Sequence, residues 1–159
     1  MKLVIPSYSL FIDPGINIGI AGFSNTNNVP IYTNLINCTR LDRWEDRIKF
    51  VLITFDLECK KLSKQYKKVY IEQPQFFDSY QGRAAAKSES LYKLIKVYGV
   101  IWTLLFQNNF EINEILASAW KGQLDKKKLQ HRVQRRINIA YPDHICDAVG
   151  LGLFVKGIF

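Results

Sequence analysis

Ser9-Leu10-Phe11-Ile12-Asp13-Pro14-Gly15 runs three apolar residues straight into an acid and then into a turn. Leu10, Phe11 and Ile12 have the character of a short buried strand, and Pro14-Gly15 forces a turn directly after Asp13. One carboxylate therefore stands at a strand end. Residues 16–23, an apolar run with Gly19 and Gly22, read as the return strand of a hairpin. A buried acid is costly unless a cation or a donor meets it. The rest of the chain is of interest for what else it brings to Asp13.

Working outward, residues 8–13, 16–23 and 29–37 read as three consecutive strands, with Asn25-Thr26-Asn27-Asn28 as a turn and Pro30 marking a strand start or an edge. Arg43 to Ser63 reads as a helix on Trp44, Ile48, Val51, Phe55 and Leu62. Val69-Tyr70-Ile71 is a short strand that ends on Glu72-Gln73-Pro74, so a second acid follows a second buried strand. Residues 75–83 read as a polar and aromatic loop. Arg83 to Phe106 reads as a long helix with Leu91, Ile95, Tyr98, Trp102 and Leu105 as its core stripe, and Gly99 as a point of close packing. Leu94, Val97, Val100, Ile101 and Leu104 exceed one stripe and suggest a surface for a second copy. Phe110 to Leu116 fits a further strand. Asp125 to Ile137 reads as a basic amphipathic helix capped by Asp125. Asp143 to Phe154 reads as a last helix that buries Ala148, Leu151 and Val155.

This order predicts one α/β domain over 1–159, a mixed sheet flanked by helices. Its first three strands are antiparallel, and the strand after the first helix runs parallel to the first. Asp13 and Glu72 then end side by side.

With 159 residues, 48% hydrophobic and 13% aromatic, the chain can build a full core. Its net charge of +8 points to a polyanion. Three cysteines with no CxxC pair fit buried thiols in a reducing, intracellular and cytoplasmic setting, not a disulfide frame or a zinc site. No apolar run reaches the ~20 residues that span a bilayer, and residues 1–10 lack a secretory cleavage pattern. A membrane role is not expected.

His144 and Asp147 are three apart, and Asp143 and Asp147 four apart, so each pair shares a helical face. Asp13, Glu72, His144 and Asp147 can then surround one point, and such a set needs a cation. Oxygen-rich ligation favours Mg²⁺ or Mn²⁺, and several carboxylates can hold two ions that stabilise both oxygens of a phosphodiester displacement. Each residue also has a plainer reading. Asp13 can cap its own turn, Glu72 can pair with a surface lysine, Asp143 can serve as an N-cap, and His144 can be structural. The set carries the reading, and Asp147, amid Ile145, Cys146, Ala148 and Val149, resists the plain one.

From Trp120 to Ile137, Lys121, Lys126, Lys127, Lys128, Arg132, Arg135 and Arg136 stand against one acid, Asp125. They are read as phosphate contacts beside the acids, the alternative being a solvated face. Lys121 and Lys126 are the candidates to reach a scissile phosphate and offset charge there. Phe76 and Phe77 in the loop after Glu72 can stack on unpaired bases or belong to the core.

Phe11-Ile12-Asp13-Pro14-Gly15, Ile71-Glu72-Gln73 with Phe76, Gly82-Arg83-Ala84-Ala85, Lys126-Lys127-Lys128-Leu129-Gln130-His131 and His144-Ile145-Cys146-Asp147-Ala148 fall in the order and spacing of the RuvC family of Holliday junction resolvases. The chain resembles that family over nearly its whole length, and its compactness and Trp120-Lys121-Gly122 resemble phage or viral members. The resemblance implies an RNase H-like fold, a homodimer, and Mg²⁺- or Mn²⁺-dependent cutting of two symmetric strands of a four-way DNA junction, with no small-molecule cofactor. By register His144 matches the third acidic position, with Asp143 second to it. It implies metal ligands at Asp13, Glu72, His144 or Asp143, and Asp147, catalysis by these with Lys126, and DNA contact by Arg83 and a loop Phe. Three rivals stay open: another nuclease on the same fold that cuts flaps or RNA–DNA hybrids, a non-catalytic junction-binding protein, and an adaptor for acidic membranes.

Overall fold

The computed structural model describes residues 7–74, 90–122 and 124–159. Phe76, Phe77 and Arg83 lie outside the described residues. Strands β1 (Tyr8–Pro14), β2 (Ile18–Ser24) and β3 (Tyr32–Ile36) are followed by α1 (Trp44–Leu62), β4 (Lys68–Gln73), α2 (Ser90–Gln107), β5 (Glu111–Leu116), α3 (Ala117–Trp120), α4 (Lys126–Ile137) and α5 (Asp143–Val155). They form one five-stranded sheet in the order β3-β2-β1-β4-β5. β1 pairs antiparallel with β2 and β2 with β3, whereas β1–β4 and β4–β5 are parallel. The mixed sheet expected above is thus present, with the opening strand at its centre.

Alternation along β1 divides the core in two. Leu10 and Ile12 point to a cluster with Val51, Phe55, Val97, Ile101 and Leu105 of α1 and α2. Phe11 points to the opposite cluster, with Phe23, Ala148 and Leu151 of β2 and α5, over which α4 lays Leu129 and Val133. Each such side chain, fully buried, contributes about 1.5–3 kcal/mol. The three cysteines are free and buried, as expected.

Several local expectations need correction. β2 begins at Ile18, not residue 16, because Asn17 turns its side chain to accept from the Cys38 backbone N–H at 2.9 Å. β3 begins at Tyr32, after Pro30, because Asn27 draws the Val29 N–H into a local turn at 3.1 Å. On α2, Ile95 and Trp102 are exposed, while Val97, Ile101 and Leu104 join Leu105 in the core. The helix is apolar on two faces, and the sequence pattern alone does not say which is inward. Gly99 does not mark close packing among the described residues, since none of them comes within 4 Å of a Cβ there. Asp143 is the first residue of α5, not its cap, which is Pro142. Asp125 caps α4 as expected, accepting from Lys128 N at 2.8 Å.

Candidate active site

The parallel register of β1 and β4 pairs Ile12 with Ile71, so Asp13 and Glu72 follow at adjacent strand ends. Both lie on the sheet face of Phe11 and Tyr70, whose rings stack at 5.2 Å. The carboxyl ends of parallel strands form a crevice, and α5 closes it. α5 comes close because Asp13 sits opposite Gly19 on β2, and a Cβ on Gly19 would lie 1.9 Å from the His144 carbonyl oxygen. Gly15 likewise leaves room for the His144 ring, 3.1 Å from its own notional Cβ. The two small residues thereby seat the start of α5 on the end of β1.

His144 Nδ1 lies 2.8 Å from Asp13 Oδ2. One turn on, Asp147 turns into the same crevice, where Lys121 Nζ donates to its Oδ2 at 3.0 Å. The same ammonium reaches Glu72, 2.9 Å from Oε2. Trp120 Nε1 also donates to Glu72 Oε2, at 3.0 Å. Asp13 and His144 are thus in contact, and Lys121 links Glu72 to Asp147 in the same crevice. Asp143 instead faces Lys126 and Gln130 at the rim. Lys126 is thus set beside Asp143, and the lysine that enters the carboxylate centre is Lys121.

Three carboxylates face one lysine and one histidine in a half-dry crevice. Burial pushes Glu72 and Asp147 above the usual carboxylate range, although Lys121 pulls both down. Burial disfavours the Lys121 ammonium, yet Glu72, Asp147 and Asp13 outweigh it and hold its pKa above the ordinary lysine value. The hydrogen bond to Asp13 raises His144 above the usual histidine value. A group whose folded pKa exceeds its unfolded one stabilises the fold below the unfolded value, and that contribution is lost as pH rises through the folded value. In metal-free protein, the His144–Asp13 contribution is therefore complete below about pH 6.5 and is lost on going alkaline. Calorimetry in chelator should show His144→Gln flattening the fall in Tm above that pH; an unchanged slope contradicts the pairing.

Among the described residues, no three His, Cys, Asp or Glu side chains are placed as they stand to hold a metal ion, and the Lys121 ammonium sits between Glu72 and Asp147. The fit to an oxygen-preferring divalent cation is one of donor chemistry: three carboxylates keep a negative surplus even with Lys121 and His144 charged.

More than nine-tenths of the chain superposes on known structures of low sequence identity. A T. thermophilus RuvC in complex with Holliday junction substrate matches with a TM-score of 0.68 at 15% identity, over 96% of this chain and 97% of that one. A Thermus thermophilus RuvC structure matches with a TM-score of 0.67 at 17% identity, over 92% and 91%. The chain has the RuvC fold. No family model and no curated protein matches its sequence.

On this RuvC-like frame the basic residues of α4 line an open groove of about 630 Å³, formed by Leu124, Lys127, Lys128, His131, Arg132, Arg135 and Arg136. The Arg132 guanidinium stacks 5.2 Å from the Phe159 ring, which meets Trp120 edge-on at 5.8 Å. Trp120 also occupies the space left by Gly150, where a Cβ would come within 2.8 Å of the indole. Trp120 is the site residue that sequence reading missed as a partner of Glu72. The available signal was its place just after β5, whose register sets Ile115 opposite Glu72. Trp120→Phe keeps the packing and removes the N–H, a bond to a charged acceptor worth about 1.5–3 kcal/mol. Urea denaturation should find Trp120→Phe less stable by about that much, and unchanged stability would show that the Trp120–Glu72 bond contributes nothing.

Proposed function

We propose that the protein is a structure-selective, divalent-metal-dependent endonuclease that resolves four-way DNA junctions by paired symmetric nicks. The observation that carries this is the convergence of Asp13, Glu72, Asp147 and His144 at the ends of two parallel strands, on a fold shared with a RuvC that binds Holliday junction substrate.

Asp13, Glu72 and Asp147 would hold Mg²⁺ or Mn²⁺, two ions per subunit, with His144 as a ligand or a water-positioning group. Such ions supply a nucleophile at neutral pH and stabilise both the attacking and the leaving oxygen. Asp13 fixes His144 at Nδ1, which leaves Nε2 to orient or take a proton from the attacking water. Lys121, and Lys126 at the rim, offset charge that builds on the phosphate. The α4 groove grips backbone phosphates without reading bases. Phe76, Phe77 and Arg83, outside the described residues, remain proposed junction contacts. By family resemblance the products carry 5′-phosphate and 3′-hydroxyl ends. A DNA-acting nuclease of this kind works inside a cell. No described helix is long and apolar enough to cross a membrane.

Paired nicks need two sites related by two-fold symmetry, and α2 supplies a surface for a homodimer. Tyr92, Ile95, Trp102 and Phe106 are exposed, and with Gly99 they recur at alternating spacings of three and four, the seam of two packed helices. The Trp102 and Phe106 rings stack at 5.6 Å. The double substitution of Trp102 and Phe106 by Glu is expected to leave the fold intact and yield monomers by sedimentation, with single nicks replacing paired ones. An unchanged dimer would place the interface elsewhere.

The test is incubation of purified protein with end-labelled four-way junctions, linear duplex, flaps and RNA–DNA hybrids, with and without Mg²⁺. Symmetric paired nicks confined to the junction and dependent on Mg²⁺ support the proposal. Preferred cutting of hybrid or flap by a monomer would favour the rival nuclease.

A further inference from the structure

Lys121 differs from the lysines around it. Its side chain is 21% exposed, against 57% for Lys126 and 70% for Lys128. Its ammonium joins carboxylates from separate elements, Glu72 on β4 and Asp147 on α5. It springs from the C-terminal cap of the four-residue helix α3, and its neighbour Gly122 has φ of +56° with no described residue near its open side. The side chain is a point charge on a flexible stem.

We propose that Lys121 is a resident counter-ion: its ammonium holds the cation position between Glu72 and Asp147, and divalent ion binding displaces it toward the side from which phosphate approaches. This rests on the metal-site reading above. An ammonium and a divalent cation cannot share the same two carboxylates, because like charges at that separation repel strongly. In metal-free protein Lys121 therefore keeps the carboxylates from repelling one another and preserves their spacing. Metal loading releases the lysine, so the cation that offsets phosphate charge becomes available when the site is loaded. Linkage makes the exchange reciprocal: whatever holds Lys121 in weakens the metal, and the metal drives Lys121 out.

The test reads Lys121 directly. Wild-type protein is reductively methylated with and without MgCl₂, and the peptides are quantified by mass spectrometry, with Lys128 as the exposed reference. We expect Lys121 to be protected in chelator and modified at least about threefold faster with Mg²⁺, while Lys128 is unchanged. Equal Lys121 rates in both conditions would overturn the proposal. In parallel, Mg²⁺ titration calorimetry compares wild type with Lys121→Met, whose affinity should be at least about tenfold tighter. Equal affinities would sink the counter-ion while leaving the metal site standing. Absence of binding in both proteins would sink the metal-site reading itself.

Discussion

Asp13→Asn is expected to lower the single-turnover cleavage rate of a four-way junction by at least about a thousandfold, which corresponds to ~4 kcal/mol of lost transition-state stabilisation. The amide keeps the shape of the side chain and removes its charge. Two functions go with it. Asp13 is the carboxylate at the end of the central strand, and it holds His144 at Nδ1, 2.8 Å away. The basic groove on α4 lies apart from this change, so junction binding in chelator should stay within a few-fold of wild type by gel shift. The substitution therefore separates grip from chemistry. Cleavage at the wild-type rate would remove this centre from catalysis. Loss of binding together with cleavage would make Asp13 structural.

The second large effect is on the fold. Gly19→Ala should destabilise the protein by about 3 kcal/mol or more, because the added methyl meets backbone and not a yielding side chain. The His144 carbonyl oxygen and carbon lie 1.9 and 2.3 Å from the new atom, so α5 must move off the sheet. That movement carries His144 and Asp147 away from Asp13 and Glu72. A displacement near 1 Å can cost on the order of a hundredfold in rate. Urea denaturation measures the first effect and cleavage by the remaining folded protein the second. Unchanged stability of Gly19→Ala would show that the contact between β2 and α5 is not the constraint described.

Much of this was legible in the chain. Asp13 and Glu72 each follow a short apolar strand and precede a proline, and parallel pairing of those strands is enough to set them side by side. The three-residue step from His144 to Asp147 put both on the inward side of α5. What the sequence does not display are relations that exist only after distant elements pack. Lys121 stands out with Lys126 as a candidate to reach phosphate, but its pairing with Glu72 and Asp147 arises only because α3 begins where β5 ends beside Glu72. Asp143 sits on the same helix as Asp147, yet Lys126 and Gln130 of α4 claim it. The misread register of α2 has a different origin. A helix with apolar rows on two sides offers two solutions to the same periodicity, and only contact with α1 and the sheet selects Val97, Ile101 and Leu104.

The claim beneath all of this is that the partly buried carboxylates form a seat for divalent cations. Crystals grown with MnCl₂ and measured at an anomalous wavelength test it most directly. The account predicts an anomalous peak in the crevice touching Asp13 and at least one of Glu72 and Asp147. A well-ordered crevice with no peak at saturating Mn²⁺ would contradict it.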